Sequence, residues 1–336
     1  MKRAVITNPL EISIEEVEEP QPEPNEILIK TLITGISAGT EMNLYTGTNP
    51  DLVRRRWGAN YVYPMVPGYE AVGSVVECGA EVDQFKPGDR VIGSGQHAEY
   101  SVIEQARAVK IPDNLSNELA SLAIVGRVAM HGIRRAEIEY GDNVAIVGLG
   151  LMGQLAMQHA KLAGAGKVIA VEIDPWRLEI AEKLGADHCV NPDYVDVVDT
   201  VNLFTDIGAD VVIETAGVSA AVPLSFSIAR DRGRIVTVGW HLKPIPLDLA
   251  EDLLYKELDL RPSRGGGQRD DIPPNIMRWN GRRNLEFMLS LLETGKINAK
   301  SLLTHIIPAT DISHAYELIR LRSEPSLHVI LNWSDE

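Results

Sequence analysis

Two cysteines, Cys78 and Cys189, are all that this chain of 336 residues carries. Two thiols cannot build a disulfide framework or a four-cysteine metal site. Long apolar runs are missing as well. The N-terminal MKRAVITNPLEISIEE has no hydrophobic region of signal length, and no stretch approaches the ~18 residues of a membrane span. A cytoplasmic protein is expected. Basic charge is scarce: 32 Lys and Arg stand against 47 Asp and Glu, a formal net charge of −15. With a pI of about 5.0, the balance argues against nucleic acid or an anionic membrane as partner. The basic clusters, such as Arg54-Arg55-Arg56, Arg134-Arg135 and Arg282-Arg283, are short and read as solvated faces or helix ends. What remains is an ordinary globular composition, 45% hydrophobic and 24% charged, in a length that suits two domains.

The first ~115 residues read as β-rich. Short β-prone runs at Ala4–Ile6, Glu26–Leu32, Ala71–Cys78, Arg90–Ile92 and Ala98–Val102 are punctuated by Pro and Gly, which suggests an antiparallel barrel or sandwich. From Ser116, a candidate N-cap, the character changes to alternating strands and helices, the pattern of a doubly wound parallel sheet with right-handed crossovers. Further strands are read at Asp210–Glu214 and Arg234–Val238. A polar, Gly-rich loop, RPSRGGGQRDDIPPN, follows Leu260. Helices are expected over Arg283–Glu293, with Gly295 as C-cap, and over Ile312–Arg322, and a last strand over His328–Leu331.

Residues 144–172, VAIVGLGLMGQLAMQHAKLAGAGKVIAVE, carry the strongest signal. An apolar run leads into Gly148-Leu149-Gly150-Leu151-Met152-Gly153, a helical pattern follows, and a second apolar run ends on Glu172. Strand, GxGxxG, helix, strand and acid stand in the order of a Rossmann dinucleotide site. Gly148 allows the tight turn, Gly150 lets backbone approach a pyrophosphate, Gly153 lets helix and strand pack closely, and the helix N-terminus offers free N–H groups. The carboxylate of Glu172 suits ribose hydroxyls and repels a 2′-phosphate, so NAD is expected ahead of NADP. Arg177, one helical turn on, keeps NADP open. Gly217 and Gly239 end later strands and are candidates for close backbone approach to the cofactor.

The order of elements resembles the medium-chain dehydrogenase/reductase family, the alcohol-dehydrogenase-like enzymes. The matching segments are Val66-Pro67-Gly68-Tyr69-Glu70-Ala71-Val72-Gly73, Cys78-Gly79-Ala80-Glu81-Val82, Phe85-Lys86-Pro87-Gly88-Asp89-Arg90-Val91, the dinucleotide fingerprint, and Gly-Ala-Asp at 208–210. The resemblance implies an α/β protein with a GroES-like β-rich catalytic domain and a Rossmann doubly wound domain. The expected boundaries are 1–117 for the first part of the catalytic domain, 118–262 for the nucleotide domain, and 263–336 for the return to the catalytic domain. It also implies an active site between the domains and a homodimer or homotetramer, with Glu257–Arg261 as a candidate self-pairing edge.

The departures from the family pattern concern zinc. Where members place a cysteine ligand, this chain has Ser37 or Ala38. The ligand histidine is Tyr69, and the third position falls near the apolar Ile124-Val125. The four-cysteine lobe is missing. Since catalytic zinc needs three N, S or O ligands and structural zinc usually four, a zinc-independent enzyme is expected. The resemblance then gives Thr40 the place of the hydroxyl that relays a proton, and points Tyr69 at the reacting centre. There its phenol could donate to a carbonyl oxygen, or accept a proton if its pKa were lowered. Glu70 and Glu41 correspond to acids near the metal site and are expected to orient Tyr69 or pair with a basic residue. His97 falls at a pocket-facing position in the family and His241 at a strand C-terminus; both are candidate substrate contacts, with Asn43, Tyr45, Arg56, Trp57, Asn60 and Tyr61 of the 43–63 loop. His131 is read as structural.

Ser-Ala-Gly-Thr-Glu at 37–41 and the stretch Arg278-Trp279-Asn280-Gly281-Arg282-Arg283-Asn284 resemble a branch of sugar and glycoside dehydrogenases. The leading expectation is reversible hydride transfer between NAD and a secondary hydroxyl of a sugar, glycoside or cyclitol. The alternatives are a zinc-free NADPH-dependent enone or quinone reductase, which Glu172 speaks against, and a non-catalytic nucleotide-binding protein, which the intact fingerprint speaks against.

Overall fold

The computed structural model describes residues 1–54, 62–267, 275, 276 and 278–334, without the side chains of residues 53 and 54. In chain order the elements are β1 (Lys2–Asn8), β2 (Glu11–Glu16), β3 (Glu26–Gly35), α1 (Thr40–Tyr45), α2 (Asp51–Arg54), β4 (Ala71–Cys78), β5 (Arg90–Gly93), β6 (Tyr100–Glu104), β7 (Val109–Lys110), α3 (Asn117–Ala120) and α4 (Leu122–Ala136). Then come β8 (Asn143–Val147), α5 (Leu151–Ala163), β9 (Lys167–Val171), α6 (Pro175–Lys183), β10 (His188–Val190), α7 (Val197–Thr205), β11 (Ala209–Glu214), α8 (Ala221–Ile228), β12 (Ala229–Thr237) and β13 (Asp259–Pro262). The chain closes with α9 (Gly281–Glu293), β14 (Leu303–Pro308), α10 (Ile312–Leu321) and β15 (His328–Asn332). No described helix is long and apolar enough to cross a membrane.

The chain forms two compact units: Met1–Ile124 with Leu289–Glu336, and Val125–Met288. In the first unit, β14, β15, β3, β4, β5 and β7 follow one another across a seven-stranded sheet, and β6 pairs with β3. The C-terminal strand β15 lies antiparallel to β3, with Ile330 opposite Gly35. Ile27, Ile29, Val75, Phe85, Val91 and Ile103 fill one core of this unit. A second core joins N- and C-terminal residues, among them Ile6, Met42, Tyr45, Ile312, Tyr316 and Trp333. The expected N-cap holds: Ser116 Oγ accepts from Leu119 N–H at 3.3 Å.

The second unit is a six-stranded sheet in the order β10-β9-β8-β11-β12-β13, parallel throughout. Val144 to Val147 are buried on both faces, as a central parallel strand requires. The order reverses between β8 and β11, and ligands bind at such a switch point, beyond the carboxyl ends of the strands. Side-chain caps fix the helix starts here: Asp174 accepts from Trp176 N–H ahead of Pro175, and Asp196 from Asp199 N–H.

The return to the first unit comes at Leu289, inside α9, rather than at 263. Arg134 of α4 ties described residues of the stretch 263–288 to the second unit. Arg134 Nε donates to Asn284 Oδ1 at 3.0 Å, and its guanidinium lies 3.6 Å from the centre of the Trp279 ring. Asn284 in turn donates to the Gly266 carbonyl at 3.0 Å.

Candidate active site and dinucleotide site

The dinucleotide site is built at the end of β8. Gly148 has φ +89°, and a Cβ there would stand 2.7 Å from Ala216 Cα. A Cβ on Gly153 would lie 1.9 Å from the Gly148 carbonyl oxygen, so only glycine lets α5 start this close to the strand. Thr215 Oγ1 donates to the same carbonyl at 2.6 Å and ties the turn to β11. Leu149 is wholly buried, whereas Leu151 and Met152 are partly exposed at the start of α5. Beyond Gly150, a Cβ would meet a single atom within 4 Å, Arg177 Nη1 at 4.0 Å. Turn, open face and helix N-terminus have the chemistry that a dinucleotide pyrophosphate requires.

Glu172, just past β9, is 8% exposed. Its Oε2 accepts from Leu149 N–H at 2.7 Å, and its Oε1 from Ile173 and Asp174 N–H at 2.9 and 3.2 Å. Arg177 Nη1 stands 3.7 Å from Oε2. At the ends of β11 and β12, the buried Glu214 carboxylate accepts from Gly217 N–H at 2.9 Å and pairs with His241 Nε2 at 2.7 Å. Gly239 packs against this pair, 2.6 Å separating a would-be Cβ from Glu214 Oε2. Gly217, Gly239 and His241 thus form one cluster on the ligand side of the sheet, organised by a glutamate that sequence reading had not singled out.

In the first unit, the segment expected to resemble a metal site gathers hydroxyls. Tyr69 is hydrogen-bonded to the side chains of Ser37 and Thr40 and lies beside the carboxylates of Glu70 and Glu41. Burial first, then Glu70, pushes the Tyr69 phenol well above its ordinary value, more than the two hydroxyls lower it. Raised in this way the phenol is held in its protonated form, the opposite direction from a lowered phenol. Glu70 is itself buried, and its carboxylate covers Gly35, where a Cβ would come within 2.6 Å of Oε2. Three hydroxyls are a poor donor set for zinc, which takes thiolate, imidazole or carboxylate. Among the described residues no group of three or more His, Cys, Asp or Glu could hold a metal ion.

Glu41 and His97 lie beneath this segment. Glu41 Oε1 accepts from Ser37 N–H at 2.8 Å, while Oε2 meets His97 Nε2 at 2.8 Å and the Tyr316 hydroxyl at 2.5 Å. His97 Nδ1 meets Thr34 Oγ1 at 2.8 Å, and Thr34 Oγ1 accepts from Trp333 Nε1 at 2.9 Å. Both ring nitrogens of His97 are thus engaged within the protein and the side chain is wholly buried, which leaves none for a ligand. Asn43 donates to the Gly39 carbonyl at 2.7 Å and holds the first turn of α1. Trp57, with Arg55, Arg56, Asn60 and Tyr61, lies outside the described residues.

Comparison with known proteins agrees with this architecture. Residues 23–113 match the alcohol dehydrogenase GroES-like domain and residues 152–280 the zinc-binding dehydrogenase family. Sorbitol dehydrogenase of Bacillus subtilis is 33% identical over 273 residues, covering 71% of this chain and 75% of that protein. D-guloside 3-dehydrogenase of Escherichia coli is 29% identical over 336 residues, covering 94% and 95%. The structure of alcohol dehydrogenase TADH from Thermus sp. ATN1 superposes with a TM-score of 0.84 at 26% identity, over 99% of both chains. With its GroES-like unit, its parallel nucleotide sheet and these relatives, the chain belongs to the medium-chain dehydrogenase/reductase family of NAD(P)-dependent enzymes acting on CH–OH groups.

Proposed function

We propose that this dehydrogenase oxidises a secondary hydroxyl of a sugar, glycoside or cyclitol, reversibly, with NAD and without zinc. The observation that carries the reading is the hydroxyl cluster of Tyr69, Ser37 and Thr40; the family resemblance aligns Tyr69 and Ser37 with ligand positions and Thr40 with the relay hydroxyl. The relatives named sorbitol dehydrogenase and D-guloside 3-dehydrogenase support the substrate class. The carboxylate at 172 supports NAD as the first cofactor. When bound, NAD supplies the hydride acceptor at its nicotinamide ring. The residues of the chain have the remaining task, the hydroxyl proton. Tyr69 hydrogen-bonds the reacting oxygen and carries a proton to it in the direction of reduction. Oxidation runs the same path backwards: Tyr69 Oη takes the substrate proton as the phenol hands its own to the hydroxyls of Ser37 and Thr40, which pass it on to solvent. Positioned proton transfer of this kind contributes roughly 10²–10⁴-fold.

Cytoplasmic location and assembly as a homodimer or homotetramer complete the reading. β13 is one of the two edges of the nucleotide sheet; Leu260 within it and Leu249, Leu254 and Tyr255 shortly before it in sequence are exposed. Light scattering of the purified protein tests the assembly.

The test of the chemistry is the double variant Tyr69→Phe with Thr40→Ala. Loss of about 10²-fold or more in kcat, with the cofactor Kd unchanged, is expected. Full turnover by this variant would remove the two residues from the mechanism.

A further inference from the structure

Gly35, the last residue of β3, is not in the left-handed region, so its backbone conformation does not call for glycine. Space does. A Cβ at this position would stand 2.6 Å from Glu70 Oε2 and 2.9 Å from His328 Cε1. The place of a side chain is shared by a carboxylate from the start of β4 and an imidazole from β15, at 4% and 1% exposure. Strand pairing brings them there: Ile330 of β15 lies opposite Gly35, and the Gly35 N–H donates to the Glu70 carbonyl at 3.2 Å.

His328 differs from His97, whose two nitrogens both have partners. Ser121 Oγ donates its one proton to the Glu118 carbonyl at 2.7 Å, so it accepts from His328 Nε2–H at 2.9 Å. Nδ1 then carries the lone pair; it is buried and has no hydrogen-bond partner. Burial lowers this imidazole to about 4, so the ring is neutral near pH 7. A buried acceptor left unmatched weakens the fold, so hydrogen bonding alone does not account for a histidine here. What the ring touches is the open side of Gly35 and, with it, the carboxylate. Glu70 in turn lies beside Tyr69, and after burial it does most to keep that phenol protonated.

We propose that Gly35 and His328 are positioning residues for Tyr69: the glycine leaves the space in which the Glu70 carboxylate sits beside the phenol, and the imidazole closes that space from β15. The proposal rests on the role proposed above for Tyr69 and adds to it two residues outside the hydroxyl cluster. The charged groups that face the phenol are Glu70 and Glu41, and the hydroxyls of Ser37 and Thr40 complete its surroundings. Glu41 is fixed separately by His97 and Tyr316.

The test reads the phenol without turnover. The full chain is made with difluorotyrosine at position 69, which ionises at lower pH than tyrosine, and the midpoint is followed by fluorine NMR. Glu70→Gln should lower the midpoint by about one pH unit, a tenfold loss of proton affinity. Gly35→Ala, whose methyl displaces Oε2, and His328→Ala, which opens the other side, should each lower it by about threefold in affinity. Ile330→Val, on the same strand but away from the carboxylate, should leave it unchanged. Midpoints unmoved in both Gly35→Ala and His328→Ala would overturn the proposal, as would one unmoved by Glu70→Gln. Should either of the first two fail to fold, the other decides alone. Full turnover by Tyr69→Phe would count against the proposed reaction and leave these titrations standing.

Discussion

Glu41 Oε2 and His97 Nε2 lie 2.8 Å apart, at 1% and 0% exposure. Their surroundings decide where the protons are. The indole of Trp333 can only donate, so Thr34 Oγ1 accepts from it, and His97 Nδ1 lies 2.8 Å from the same oxygen. A carboxylate can only accept, so an imidazole hydrogen on Nε2 faces Glu41. Glu41 thereby receives three donors, from Ser37, His97 and Tyr316, and joins β3, α1, α10 and the end of β15 into one unit. Glu41→Leu leaves all three donors buried and unmatched. A loss of about 3–5 kcal/mol in unfolding free energy is expected, measured by urea denaturation. Glu41→Gln, which keeps one acceptor, should lose less.

Acid should weaken each unit through one histidine. Burial lowers His328 in the first unit and His159 in the second from 6.5 to about 4; for His159 a bond to the Gly126 carbonyl offsets only part of this. Above pH 6.5 both imidazoles are neutral, folded or unfolded, and contribute no pH dependence. As the pH falls towards 4, the unfolded chain takes up protons that the folded one refuses, so stability is lost across that window, on the order of 3 kcal/mol per histidine. Below about 4 the loss levels off. His328→Gln should abolish its share, read as a smaller stability difference between pH 7 and pH 4.5 than in the native chain.

Much of this fold was legible from local pattern. The βαβ unit at 144–172, the Ser116 cap and the helix of residues 312–321 all follow from periodicity, capping and glycine chemistry acting over a few residues. The Glu41 network was not legible, because Thr34, His97, Tyr316 and Trp333 meet across nearly 300 positions and no spacing announces them. His97 looked like a pocket residue for the same reason: a histidine in sequence does not reveal that both its nitrogens will find partners. The extent of the nucleotide unit was misplaced to 262 because a Gly-rich loop reads as a boundary. Arg134 holding Trp279 and Asn284 is a tertiary fact. Glu172 reads in the sequence as an acceptor for ribose hydroxyls; the donors it meets in the structure are backbone amides, which have no sequence signature.

Gly153→Ala tests the dinucleotide turn. The added methyl would stand 1.9 Å from the Gly148 carbonyl oxygen, so α5 or the turn has to move. Binding of NAD should weaken by more than about tenfold and the melting temperature should fall by several degrees. Gly88→Ala, at φ +93° with no atom within 4 Å, shows by contrast what backbone strain alone costs, a strain that Gly153, inside α5, does not carry.

Arg134 should not be replaceable by lysine. Burial and the neighbouring Arg278 lower its guanidinium to about 10, yet its stacking on Trp279 and its bond to Asn284 depend on a planar, forked group. Arg134→Lys is expected to cost about 1–2 kcal/mol in unfolding free energy, close to the cost of Arg134→Ala, measured by urea denaturation.

The account stands most directly on one assay. Purified protein of known metal content is given NAD or NADP with a panel of sugars, glycosides, cyclitols and simple alcohols, and the absorbance of the reduced nicotinamide is followed. Oxidation of a polyol by protein that holds no stoichiometric zinc, unchanged by a chelator, is the result predicted. Activity that tracks bound zinc, or NADPH consumed on enones and quinones while every alcohol is inert, would contradict it.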